Sequence, residues 1–168
     1  QGGANHVETQ AGYSGATINV HIYEGIDVSH PAFSGPVVAV NSTTASTGHG
    51  TNTAGIVFGD GTGNPQFRGF APDAGKFFTN YSSVTTSRWQ VFSDLVNIHD
   101  VSHTTASWGN ARTFFYTSIS AEADDIIFDH DLAWTQSQSN AGNQDSRPQA
   151  WAKNIFSIGG VRHQNNSN

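Results

Sequence analysis

Strand-like runs separated by segments of helical spacing recur along most of this chain, and that alternation restricts its fold more than any other feature. Over 17–23, Ile18, Val20 and Ile22 alternate with polar partners, the period of a half-buried strand. Further strands are predicted at Val37-Val38-Ala39-Val40, at 76–79, at 104–108 (reached from Val101), at 132–139 and at 155–158. Helices are predicted between them, over 49–58, 87–98 and 120–130. In the second helix Trp89, Phe92, Leu95 and Val96 share one face. In the third, Glu122, Asp124 and Asp125 fall in the first turns, where the helix dipole favours acids, and the Asp124-Asp125 pair reads as solvated. Strands alternating with helices imply an α/β architecture with a largely parallel sheet. No repeat or linker interrupts the pattern, so the 168 residues read as one domain with a sizeable core. Residues 1–15, Gly-rich and polar, read as an opening segment lying on the surface.

Composition narrows the function classes. Thirteen acids against seven Lys and Arg leave a formal charge of -6, which argues against a nucleic-acid partner needing a basic face. No apolar run approaches the roughly 20 residues of a membrane span, and no basic start followed by an apolar core marks a signal peptide. A chain beginning at Gln1 fits a mature, processed product. The absence of cysteine excludes disulfides and thiolate metal sites. Polar positions are mostly Ser, Thr, Asn, Gln and Gly, a composition that suits a secreted protein, and an extracellular location is expected.

The richest stretch chemically is Gly48-His49-Gly50-Thr51-Asn52-Thr53-Ala54-Gly55-Ile56-Val57-Phe58-Gly59. Glycines on either side leave space around the imidazole and let backbone approach it. Thr51 is expected to cap the helix and Gly59 to end it. An uncrowded imidazole at a helix start is suited to proton exchange near neutral pH, although a buried, satisfied histidine would look the same. In an open parallel sheet the chemistry gathers at the carboxyl ends of the strands. Three loops lie there: Tyr23-Glu24-Gly25-Ile26-Asp27, Ser107-Trp108-Gly109, and Asn140-Ala141-Gly142-Asn143.

At this point the chain resembles the subtilisin-like serine proteases (subtilases). The segments that carry the resemblance are Gly25 to Pro31, Gly48 to Gly55, Gly69-Phe70-Ala71-Pro72-Asp73-Ala74, Ala106 to Gly109, Asn140 to Asn143, and Ala152-Lys153-Asn154 through Ser157 to Val161. They occur in family order across nearly the whole chain. The resemblance implies a three-layer αβα fold with a largely parallel sheet, incomplete at its C-terminal side. Residues 1–168 would then be the N-terminal portion of a subtilase-like catalytic domain. It further implies that His49 is the general base, that Asn143 is the side-chain donor of the oxyanion hole, and that Ser107-Trp108-Gly109 binds substrate peptide as an added strand. Calcium is common in that family, and Asp60, Asn64 and Asp73 offer hard oxygens in or near a Gly-rich loop; no cofactor is implied for catalysis.

Two departures from the family pattern stand beside these matches. No Gly-Thr-Ser block is present to supply the nucleophile, which would lie outside this chain, and the remainder of the catalytic domain becomes an expected partner. Counting back from Gly25-Ile26-Asp27 sets Tyr23 where the family has its catalytic aspartate. Glu24 and, less directly, Asp27 are the carboxylates near enough to replace it, and the remaining alternative is that no carboxylate does. Glu24 would have to reach from the opposite face of the strand. His99 and His103 are four apart but straddle a helix end and a strand start, so they read as structural, as does His30 before Pro31. The chain therefore reads as part of a secreted serine endopeptidase acting on peptides or proteins. The alternatives are an inactive subtilase-like module that binds peptides or proteins, and a fragment that folds only with its complement.

Overall fold

The computed structural model describes residues 4–160. Val161, the last residue of the final family segment, and the stretch after it lie outside the described residues. Six strands form one sheet: β1 (Asn19–Ile22), β2 (Val37–Ala39), β3 (Gly75–Phe78), β4 (Val101–Ala106), β5 (Ala133–Ser137) and β6 (Phe156–Ile158). Their order is β2-β3-β1-β4-β5-β6, and every pairing is parallel. The predicted α/β class with a parallel sheet is therefore what the chain adopts.

Side chains leave β1 alternately on two faces, and each face meets its own layer of helix. Val20 and Ile22 join Phe78 and pack with Ala54 and Phe58 of α2 (Gly48–Phe58). Tyr23 joins Phe92 and Leu95 of α3 (Arg88–Asn97), Ala123 and Ile126 of α4 (Ser118–His130), and Trp134 of β5. His21 sits on that second face, its ring against Tyr23 and Phe92. The result is three layers, helix on sheet on helix.

Several local expectations need correction. Ala4–Ala11 lies at the surface, as the sequence suggests, but forms a helix, α1, that the sequence reading did not include. It ends at Gly12, whose φ of 73° and amide bond to the Glu8 carbonyl make the left-handed stop that glycine accommodates. On α3, Trp89 is partly exposed; its Nε1 donates to Asp129 and its ring lies against His130, so it joins α3 to α4. Val91 is buried in the core with Phe92 and Leu95. On α4 the acids are not in the first turn: Glu122 pairs with Arg88, and Asp124 is buried. Asp124 accepts the Lys153 and Asn154 amides at 2.7 Å each and the Tyr116 hydroxyl at 2.9 Å, fastening the approach to β6 onto α4.

Candidate active site

The end of β1 and the start of α2 meet at the carboxyl edge of the sheet. Thr47 is the cap of α2, accepting from the Gly50 amide at 2.9 Å; Thr51 was expected there but sits one turn inside. The Thr51 hydroxyl instead donates to the Thr47 carbonyl and accepts from the Asp27 amide, holding the loop after β1 against the helix. The two glycines flanking His49 have different uses. A Cβ at Gly48 would meet open space. One at Gly50 would come within 2.3 Å of the Gly25 carbonyl oxygen and 2.9 Å of Glu24 Cβ. Gly50 is thus what allows α2 to rest against the end of β1.

That close approach brings His49 Nδ1 to 2.5 Å from Glu24 Oε2. The Glu24 side chain is buried, at 2% exposure, whereas that of His49 is 65% exposed, so the rest of the imidazole faces outward. The second carboxylate oxygen of Glu24 accepts the Ser107 amide at 3.3 Å. An ionised carboxylate only accepts hydrogen bonds, so this partner places hydrogen on Nδ1 and leaves Nε2 as the basic nitrogen.

Tyr23 is not the residue beside His49. It is buried among His21, Phe92 and Trp108, and burial raises its hydroxyl pKa above the ordinary value. The reason is the strand period. Glu24 follows Val20 and Ile22 on the face toward α2, and Tyr23 follows His21 on the other. Asp27 turns away to its own loop, where hydrogen bonds from the Ser29 hydroxyl and amide lower its pKa.

Ser107-Trp108-Gly109 continues from β4. Trp108 stacks on Tyr81 at 4.3 Å and meets Tyr23 edge-on, and its carbonyl accepts from Gln136 Nε2 at 2.5 Å. Gly109 is pressed against the turn at 147–149, where a Cβ would lie 2.7 Å from Arg147 Cβ. Asn143 lies exposed in the loop after β5, its Oδ1 accepting the Asp145 amide at 2.8 Å. The loops after β4 and β5 are tied together: Thr113 and Ser146 exchange backbone bonds at 2.8 and 3.1 Å, and Trp151 Nε1 donates to the Thr113 carbonyl. Tyr81, Gln136 and this pairing were not singled out in the sequence. They come from separate segments, and no short motif announces them.

No protein-family profile matches the chain, and no curated protein matches it. Solved structures do. The prenylagaramide maturation protease PagA superposes with a TM-score of 0.72 at 18% identity, over 92% of this chain and 57% of that one. The protease domain of PatA gives 0.69 at 19% identity, over 89% and 60%. A psychrophilic subtilisin-like protease from the Antarctic psychrotroph Pseudoalteromonas sp. AS-11 gives 0.66 at 18% identity, over 92% and 39%.

The fold is that of the subtilisin-like proteases. At these identities the likeness concerns architecture, and the chain spans 39% to 60% of those neighbours' lengths. Within this subtilisin-like fold the suggested calcium oxygens are occupied otherwise. Asp60 Oδ1 accepts the Thr62 amide and Asn64 Oδ1 the Gln66 amide. The positive charge beside them is the guanidinium of Arg68, which bonds the Glu8 carboxylate and the Asp60 carbonyl and lies 3.9 Å from Asp73. Among the described residues no three His, Asp or Glu side chains are grouped to hold a metal, and no helix is long and apolar enough to cross a membrane. His99 lies against Phe77, and His103 shares a hydrogen bond with Thr135.

Proposed function

We propose that this chain carries the base, its orienting acid and the oxyanion donor of a secreted serine endopeptidase of the subtilisin type. The nucleophilic serine lies outside it, in a part of the catalytic domain that residues 1–168 do not contain. The observation that supports this best is the 2.5 Å contact between His49 Nδ1 and the buried Glu24 carboxylate, with the rest of the ring open to solvent. In this reading His49 Nε2 takes the serine proton during attack and returns it to the leaving amine. Glu24 holds the tautomer and stabilises the imidazolium as it forms. Asn143, its amide plane fixed by the Asp145 bond, directs its NH2 group to the developing oxyanion. The acyl half of the peptide pairs with the backbone groups of Ser107-Trp108-Gly109 that Glu24 and Gln136 leave free.

The full-length protein should hydrolyse a fluorogenic peptide and be labelled at one serine by a fluorophosphonate, with His49→Ala lowering kcat by at least about 10⁴-fold. Hydrolysis untouched by His49→Ala would overturn the proposal. Peptide binding without hydrolysis or labelling would favour a non-catalytic module.

A further inference from the structure

Two glutamines lie fully buried against the segment that follows β4. Gln136 of β5 and Gln149 of the turn at 147–149 are each 1% exposed. A side-chain amide taken out of water costs free energy unless its groups are bonded, so two of them at one place have a reason to be there. Both direct their bonds to the same short stretch, 108–110. Gln136 Nε2 donates to the Trp108 carbonyl at 2.5 Å. Gln149 Oε1 accepts the Asn110 amide at 3.3 Å, and its Nε2 donates to Asn110 Oδ1 at 2.6 Å.

These bonds fall on the two peptide units that flank Gly109. A trans peptide unit is planar, with its C=O and N–H pointing in opposite directions, and no described unit is cis. Gln136 holds the Trp108 carbonyl, so the N–H of the same unit, which belongs to Gly109, points away from Gln136. Gln149 holds the Asn110 N–H, so the carbonyl of that unit, again of Gly109, points away from Gln149. A residue that offers its donor and its acceptor together can exchange two bonds with a residue of an antiparallel strand. Among the described residues neither backbone group of Gly109 has a partner. The arrangement requires glycine, because a Cβ at 109 would lie 2.9 Å from Gln149 Oε1.

We propose that Gln136 and Gln149 are positioning residues for substrate. By fixing the peptide units on either side of Gly109 they hold its N–H and C=O ready to bond one residue of the acyl half of a peptide. Because this edge is ordered before substrate arrives, binding does not have to order it, and only substrates long enough to reach Gly109 benefit. The proposal rests on the endopeptidase reading above, and its test separates the two.

The full-length protein is assayed with two acetylated p-nitroanilides that share the residue before the scissile bond, one a single residue long and the other four. The length advantage is the ratio of their kcat/KM values. Gln136→Met and Gln149→Met keep the side-chain length without the amide. Each should lower the ratio about 10-fold, chiefly through KM of the longer substrate, as loss of a hydrogen bond implies. Gln149→Glu offers the Asn110 amide an oxygen in either protonation state and should recover most of the ratio. Asn110→Ala removes one of the bonds that fix Gln149 and should lower the ratio about 3-fold. Its position is exposed, so it keeps the test open if a buried substitution prevents folding. Gln90→Met, on α3, should leave the ratio at its wild-type value.

In parallel, a fluorescein-labelled peptide of the same four residues is titrated by anisotropy into each protein, with folding checked by circular dichroism. Cleavage with a ratio that the folded Met variants and Asn110→Ala leave unaltered overturns the positioning role and spares the protease reading. A fall in Gln149→Met that Gln149→Glu does not reverse makes Gln149 a packing residue and overturns its part in the proposal. No cleavage, but peptide binding weakened about 10-fold by the Met variants and recovered by Gln149→Glu, supports the positioning role and removes the protease reading. Neither cleavage nor binding overturns both.

Discussion

Glu24 is the residue on which the candidate site turns, and its neighbours give it two jobs. One oxygen orients His49 and the other holds the Ser107 amide. Glu24→Gln should preserve the fold while lowering kcat by about 10³–10⁴ with little change in KM, the consequence of neutralising the acid in a Ser-His-Asp triad. Glu24→Asp keeps the charge but draws it back by one methylene. A displacement of about 1 Å costs roughly 10²-fold, so its kcat should fall between wild type and Glu24→Gln. Steady-state kinetics on the three proteins decides the ranking. The sequence showed Glu24 as a candidate and misjudged its neighbour. Counting back from Gly25 favours Tyr23, whereas counting forward along Val20 and Ile22 leads to Glu24 on the face toward α2. The second count follows the physical period of the strand. A motif comparison alone does not say where a residue has been lost.

At the scale of elements, the approach of α2 to β1 sets the site, and glycine at position 50 sets the approach. Gly50→Ala would drive a methyl into the Gly25 carbonyl and Glu24 Cβ, so it should cost about 1–3 kcal/mol and separate His49 from its carboxylate. Gly48→Ala meets no atom and removes backbone freedom from the unfolded chain, so it should be neutral or stabilising by up to about 1 kcal/mol. Urea unfolding of the pair, with activity measured alongside, checks the contrast. Glycine spacing made a helix start with a histidine legible, but not which glycine the packing needs, because that depends on β1, which is distant in sequence. The same limit hid Asp124. Acids early in a predicted helix suggest a solvated face, and only the arrival of the Lys153 and Asn154 amides, some 30 positions later, explains a buried carboxylate. Helix α1 was missed because its few helix-forming residues sit between glycines.

For the whole molecule, the α/β class and the parallel sheet were legible in the alternation of strand-like and helical segments, whereas the strand order β2-β3-β1-β4-β5-β6 was not, because it depends on pairings between segments distant in sequence. The pH response was less legible. His21 is fully buried at the centre of the sheet, with Nδ1 on the Thr104 hydroxyl at 2.7 Å, and burial, aided by His103, lowers its pKa to about 3. Burial also lowers the pKa of His103. The unfolded chain therefore takes up protons below about pH 6.5 that the folded chain refuses. Stability is full above that pH and falls as the pH drops toward 3, by up to about 1.4 kcal/mol per pH unit for His21. Urea midpoints at pH 7 and pH 5 should differ accordingly, and His21→Gln should flatten the difference.

The backbone exchange between Thr113 and Ser146 carries one further consequence, this time for kinetics. It clips the loop after β4 to the loop after β5, with Arg147 bonding the Asn110 carbonyl and Gln149 the Asn110 side chain as reinforcement. The two loops then open as one jaw rather than as separate flaps. Deuterium uptake over 107–113 and over 143–147 should share a common opening rate. Thr113→Pro, which removes one donor of the clip, should make the two rates diverge.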